Sequence, residues 1–169
     1  VALKDLPRIF LESISASVKV LFIIAVSGFF GWLLIRQQIP QLALQFILGL
    51  SSNPVVVLSI VILFLLVLGC FIEGVAVLVI TTPIVLPVIQ AIGMDLVQFG
   101  VVMILTSMVG LITPPVGMSL YAVSSISGVK IGVLSRELLP YLLGIFLVLL
   151  LVAFLPFIST WLPTLVFGG

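Results

Sequence analysis

Long apolar runs separated by short polar segments dominate the pattern of this chain. The first run covers residues 14–35 and is followed by Arg36. Its roughly 22 residues would make a helix of about 33 Å, enough to cross the hydrocarbon of a bilayer. Further runs cover residues 54–92, 97–127 and 139–163. Because none of them alternates with period two, the pattern predicts membrane-spanning helices and not strands.

A polar lead-in precedes the first run. Lys4, Arg8 and Glu12 recur at every fourth position in residues 1–13, which predicts one polar face of a short amphipathic helix at the membrane surface. A frayed, solvated segment is the alternative. Residues 1–36 are thus predicted to comprise an amphipathic lead-in helix and a scaffold transmembrane helix. The start lacks the charged segment, short apolar core and small-residue cleavage site of a signal peptide, so we expect none.

Residues 37–53 connect the first span to the second run. Residues 37–50 are too short to cross a bilayer and carry glutamines at every fourth position along one face, so they predict an interfacial helix. Asn53 and Pro54 follow as the predicted N-cap and first residue of the next helix.

The region 54–127 contains two interruptions of strongly apolar helix. Residues 54–92 are interrupted at Gly69–Gly74, and residues 97–127 are interrupted at Thr113–Gly117. A hairpin with its tip inside the protein and two complete spans both fit 54–92, and the acid in the turn favours the hairpin. Backbone that leaves a helix in hydrocarbon loses hydrogen bonds worth several kcal/mol. Such breaks persist where protein buries them or where they line a watery cavity.

Each interruption carries residues suited to ion binding. Glu73 is the only acid within residues 54–92, and a charge at that depth costs at least about 2.5 kcal/mol. A carboxylate beside free carbonyls suits a hard cation such as Na⁺, or a proton relay; a structural cap on a helix N-terminus is the alternative. Pro114 and Pro115 remove two backbone donors, which frees carbonyls that attract cations. A plain kink is the alternative there.

Residues 128–169 predict a cytoplasmic loop and a last transmembrane helix. The loop, residues 128–138, carries Lys130 and Arg136, and the span follows at residues 139–163. Basic residues at the start of the chain and in this loop place both on the cytoplasmic side by the positive-inside rule. The N-terminus is then cytoplasmic and the C-terminus periplasmic.

Composition narrows the function classes. The chain is 63% hydrophobic and 7% charged, which excludes a soluble globular domain and a disordered chain. A net charge of +1 gives no support for nucleic-acid binding. Without histidine and with Cys70 as the one cysteine, zinc, haem and internal disulfides are disfavoured. We expect no enzyme and no channel filter; a non-transporting scaffold or accessory membrane subunit stays open.

Three motifs give the chain a family resemblance: TTPIVLP at residues 81–87, IGMD at 92–95 and LITPPVG at 111–117. In this order they resemble the C-terminal half of the large membrane (permease) subunit of TRAP (tripartite ATP-independent periplasmic) transporters. The resemblance extends over essentially the whole chain. It implies an all-α membrane protein with an ion-transporter-type repeat, made of a helical hairpin and a discontinuous transmembrane helix, similar to elevator-type transporters with two inverted repeats. One such repeat is visible here.

The same resemblance implies a function. TRAP transporters import small organic acids, such as C4-dicarboxylates or sialic acids, across the bacterial inner membrane by Na⁺ coupling and without another cofactor. The implied partners are the remaining half of the large subunit, a small membrane subunit, a periplasmic substrate-binding protein and the lipid bilayer. The implied Na⁺-binding residues are Gly69, Glu73, Thr113, Pro114 and Gly117, several through backbone carbonyls; at Glu73 the family often has aspartate. Another anion transporter of the same elevator-type fold is the alternative.

Overall fold

The structure, a computed structural model, describes residues 6–114 and 116–168. All regular structure in these residues is helical. The helices in chain order are α1 (Leu6–Arg36), α2 (Ile39–Leu50), α3 (Pro54–Phe71), α4 (Gly74–Ala91), α5 (Leu96–Ile112), α6 (Met118–Ser127), α7 (Ile131–Phe154) and α8 (Pro156–Phe167). α1, α3, α4 and α7 are long and apolar enough to cross a membrane. The predicted class, an all-α multi-pass membrane protein, is confirmed.

α1 is one continuous helix where the sequence predicts a lead-in and a separate span. The hydroxyls of Ser13 and Ser17 donate to carbonyls one turn earlier, at 2.9 and 3.0 Å, which helices tolerate. Arg8 and Glu12 pair along the same helix at 2.9 Å. No glycine or proline lies between Arg8 and Ser17, so the helix continues and the predicted boundary after residue 13 is wrong. Residues 1–5 of the lead-in lie outside the described residues.

α2 follows α1 after a sharp turn. The backbone of Gln38 is left-handed, with a φ of 56°, which is uncommon for a residue with a side chain. α2 packs mainly on α4, with Ile47 and Leu48 half-buried while Gln41 and Gln45 are exposed. The segment predicted as an interfacial helix is thus helical from Ile39 onward and amphipathic.

α3 and α4 form a helical hairpin. Asn53 caps α3 by accepting the N–H of Val55 at 2.9 Å, and Pro54 is its first residue, as predicted. The helix ends at Phe71 and the next begins at Gly74, so the interruption consists of Ile72 and Glu73.

α5 lies against both arms of the hairpin, parallel to α3 and antiparallel to α4. Leu58 of α3 and Gln98 of α5 line one cavity at the start of both helices, while Gly69 and Gly110 face each other near their ends. Gly74, at the start of α4, also faces the last turns of α5. The hairpin tip therefore lies level with the C-terminus of α5, and α6 continues beyond it.

The core lies between α3, α4, α5 and α7, and α1 attaches to its outside. Its most buried members are Val57, Val61, Leu65, Val77, Val88, Ile89, Val102 and Leu149. α1 packs on α4 with a narrow stripe, since Ser27 and Gly31 are its buried residues in the described part. A methyl group at Gly31 would lie 3.6 Å from Cγ of Pro83. Small residues four apart allow such close approach between membrane helices.

The polar loop predicted for residues 128–138 is shorter in the structure. Gly128 ends α6 with a φ of 72°, and α7 begins soon after, at Ile131. Arg136 and Glu137 therefore lie on α7. The predicted end of the loop is wrong because polarity alone does not exclude helix, whereas glycine at a C-terminus does end it.

The final span predicted for residues 139–163 ends earlier, at Phe154. Pro156 has no N–H and disfavours helical backbone at the residue before it. Leu155 accordingly has a φ of −115° and a ψ of 89°, and α8 continues from Pro156 as a separate helix. The predicted single span is therefore a longer helix and a short terminal one.

Gly110→Ala is expected to destabilise the fold. The added methyl carbon would lie 2.7 Å from Cα of Gly69, so α3 and α5 would have to separate at the hairpin tip, and overpacking of this kind costs about 1–3 kcal/mol. Gly100→Ala on the same helix is the control, because no atom lies within 4 Å of the new methyl group. Thermal unfolding of the purified protein should show a lower midpoint for Gly110→Ala alone; equal midpoints for the two variants would contradict the contact.

Candidate functional site

The two helix interruptions lie against each other. The N–H of Gly117 donates to the carbonyl of Cys70 at 3.2 Å, which joins the α5–α6 break to the last turn of α3. A methyl group at Gly69 would lie 3.1 Å from the carbonyl oxygen of Ser107 and 3.2 Å from Cα of Gly110. α3 and α5 are therefore in direct backbone contact beside the hydrogen bond. The tip and the break form one structural unit.

α3 and α5 both end at this unit, with their C-termini side by side. In the described residues, no backbone N–H donates to the carbonyls of Gly69 or Phe71. Pro115, which has no N–H, cannot supply the donor that the carbonyl of Leu111 would receive in a continuing helix. Neither helix has a basic residue in its last turn. Because a helix C-terminus carries partial negative charge, the free carbonyls here are suited to a cation, while the starts of α4 and α6 bring the opposite partial charge beside them.

Glu73 caps the N-terminus of α4. Its Oε2 accepts the N–H of Ala76 at 3.1 Å, and its backbone is extended, with a φ of −61° and a ψ of 141°. The structural role that the sequence left as an alternative is thus present. The described residues contain no group of three His, Cys, Asp or Glu side chains that could hold a metal ion.

The other predicted site residues differ in exposure. Gly117 is buried and left-handed, with a φ of 54°, and a methyl group there would lie 3.1 Å from the carbonyl oxygen of Thr113. Thr113 is half-buried and donates its hydroxyl to the carbonyl of Val109, while Pro114 is exposed. Thr113, Pro114 and Cys70 line an apolar groove of about 580 Å³ between α3, α5 and α7.

Sequence reasoning missed the helical placement of Glu137, which is exposed, and the burial of Gln98. Glu137, predicted in a loop, lies on α7 and lines a pocket of about 370 Å³ with Ser119 of α6. Gln98 is 3% exposed and joins α5 to the end of α7. A lone glutamine in an apolar helix is a usable signal, because a buried amide requires partners.

A comparison with known families identifies the family of this chain. A profile described as "Tripartite ATP-independent periplasmic transporter, DctM component" matches residues 1–158. The chain belongs to this family. The resemblance stated from its motifs is thereby confirmed.

Curated relatives of this DctM-family chain carry transporter names. It is 41% identical over 157 residues to "Sialic acid TRAP transporter large permease protein SiaM" of Vibrio cholerae, which covers 93% of the chain and 37% of the relative. It is 34% identical over 161 residues to "C4-dicarboxylate TRAP transporter large permease protein DctM" of Pseudomonas aeruginosa, with coverages of 95% and 38%. "Isethionate TRAP transporter permease protein DctMQ" of Oleidesulfovibrio alaskensis is 33% identical over 145 residues, with coverages of 86% and 23%.

The names of these relatives describe transporter permeases and not enzymes, which agrees with the expected lack of enzymatic activity. The chain spans less than two fifths of the length of these relatives.

Glu73→Ala is expected to loosen the start of α4 in this DctM-family chain. The N–H of Ala76 would lose its acceptor, and loss of a side-chain cap costs about 0.5–2 kcal/mol. Glu73→Gln is the control, since its amide oxygen can still accept. Hydrogen exchange of the first turn of α4 should be faster in the alanine variant than in the glutamine variant. Equal exchange in both would show that the cap does not hold the tip.

Proposed function

We propose that this chain carries one cation site of a Na⁺-coupled TRAP transporter that imports small organic acids across the bacterial inner membrane. The observation that carries the proposal is the meeting of two helix C-termini, those of α3 and α5, at a tip joined by the bond from Gly117 to Cys70. The chain would supply this site as part of the large permease.

Electrostatics support Na⁺ at this position. Each helix C-terminus is equivalent to roughly −0.5 of an elementary charge, and the two C-termini lie side by side because α3 and α5 are parallel and in contact. The carboxylate of Glu73 caps the opposite, positive end of α4 next to them. Carbonyl and carboxylate oxygens are the ligands that hard cations prefer. Each break forfeits helix hydrogen bonds, and a bound cation recovers part of that loss through the freed carbonyls. A scaffold without a transport path would need neither break.

The start of α6 supports an anionic substrate. Its N-cap, Gly117, provides no side-chain cap, so the positive end of this helix remains available to a carboxylate or sulfonate. The start of α4, by contrast, already holds the carboxylate of Glu73. Sialic acid, C4-dicarboxylates and isethionate, named for the relatives, are all anions at neutral pH. Na⁺ would order the tip and so favour anion binding beside it.

The remaining architecture is part of the same proposal. The hairpin and the broken helix would form one repeat of an elevator-type permease, opposite an inverted repeat in the rest of the large subunit. A small membrane subunit and a periplasmic binding protein would complete the transporter. The N-terminus would face the cytoplasm and the C-terminus the periplasm, as the basic residues favour.

Uptake by the assembled transporter in proteoliposomes tests the proposal. Wild-type uptake of the labelled organic acid should rise with Na⁺ concentration. Glu73→Gln should raise the Na⁺ concentration for half-maximal uptake by about fivefold, a modest coupling between sites, because a negative charge near the carbonyls is lost. Glu12→Gln, at an exposed position on α1, is the control and should behave as wild type.

Two results would count against the proposal. Wild-type uptake that is equal in Na⁺ and in choline would contradict Na⁺ coupling. An unchanged Na⁺ dependence in Glu73→Gln, at normal membrane levels, would reduce Glu73 to the cap seen in the structure.

A further inference from the structure

Gln98 is a buried polar residue that belongs to neither helix break. Its Nε2 donates to the carbonyl oxygens of Val152 and Ala153 at 3.1 and 2.9 Å. Both partners are pure acceptors, so the amide nitrogen, and not the amide oxygen, must face them. The side chain therefore has one defined orientation across the contact between α5 and α7.

The two carbonyls are those that the α7–α8 break leaves without donors. In a continuous helix the carbonyl of Val152 would accept from the residue four positions on, which is Pro156 and has no N–H. The carbonyl of Ala153 loses its donor because the chain turns away at Leu155. Gln98 supplies both missing donors from the neighbouring helix. Unpaired carbonyls are strongly unfavourable inside a membrane protein.

The backbone of Gln98 is fixed as firmly as its side chain. Asp95 caps α5, and its Oδ1 accepts the N–H groups of Val97 and Gln98 at 2.8 and 3.0 Å. A hydrogen-bonded chain therefore runs from the surface turn at Asp95, through Gln98, to the end of α7.

We infer that Gln98 is a positioning residue that fixes α7 along the axis of α5. The two hydrogen bonds from Gln98 form a joint between α5 and the end of α7. From this joint, α7 extends to the apolar groove beside both breaks, where Leu142 and Phe146 line the same groove as Cys70 and Thr113. A slip of α7 along its axis would change the packing next to the tip. The joint rests on the hydrogen bonds alone, whereas its effect on Na⁺ rests on the proposed function.

A double-mutant cycle in the assembled transporter tests the joint. Gln98→Leu removes both donors, and Pro156→Ala restores a backbone N–H that lets α7 continue and satisfy Val152 itself. Gln98→Leu should lower the thermal midpoint by several degrees and raise the Na⁺ concentration for half-maximal uptake by about fivefold. Pro156→Ala should recover much of both losses in the double variant, because the two changes act on one carbonyl and must couple.

Two further variants sharpen the test. Gln98→Glu keeps the shape but places carboxylate oxygens against carbonyl oxygens, so it should be at least as harmful as Gln98→Leu. Gln90→Leu, at an exposed position on α4, should leave both readouts unchanged. If Gln98→Leu does not assemble, recovery of assembly by Pro156→Ala supports the joint and failure to recover overturns it.

The possible outcomes separate the joint from the transport function. Additive midpoint shifts for Gln98→Leu and Pro156→Ala would overturn the joint. Coupled midpoints with the same Na⁺ dependence in all variants would overturn the positioning role. Wild-type uptake that ignores Na⁺ would overturn the proposed function, while the midpoints would still decide whether the joint exists.

Discussion

The fold depends on where backbone groups find partners when the chain leaves a helix inside an apolar protein. At the α7–α8 break the two orphaned carbonyls receive both amide hydrogens of Gln98. At the hairpin tip the compensation is only partial. The N–H of Gly117 donates to the carbonyl of Cys70, and Glu73 accepts from the N–H of Ala76, while in the described residues no backbone N–H donates to the carbonyls of Gly69 or Phe71. The same constraint therefore produces a closed joint at one end of the bundle and, at the other, the unpaired carbonyls at which we propose a cation site.

Glycine makes the open site possible. Gly69 and Gly110 allow α3 and α5 to touch backbone to backbone, which brings their negative ends together. Gly117 adopts the left-handed conformation that turns its N–H toward the hairpin. Among the described residues, the backbone contact is joined by the hydrogen bond from Gly117 to Cys70. In the proposed function, a bound ion would strengthen this contact and so link it to coupled transport.

The sequence predicted the features that depend on local chemistry. Glycines and an acid within an apolar run located the hairpin tip, and Asn53 followed by Pro54 located the start of α3. Helix ends elsewhere were harder to predict, because hydropathy indicates depth in the membrane and not where a helix ends. Polar residues such as Arg136 are helical, and Pro156 ends a helix while Pro140 does not. The role of Gln98 depends on a contact 54 residues away in sequence, which no local pattern contains. Na⁺ binding at the tip stays a prediction.

Hydrogen exchange in the assembled transporter tests the central claim most directly. The segments 69–74 and 113–117 would be followed in Na⁺ and in choline, with the capped turn at residues 93–98 as an internal reference. If the two breaks form one cation site, Na⁺ slows exchange in both segments together and leaves the reference unchanged. Equal exchange in the two salts, or protection of only one segment, would contradict a site shared between the hairpin tip and the broken helix.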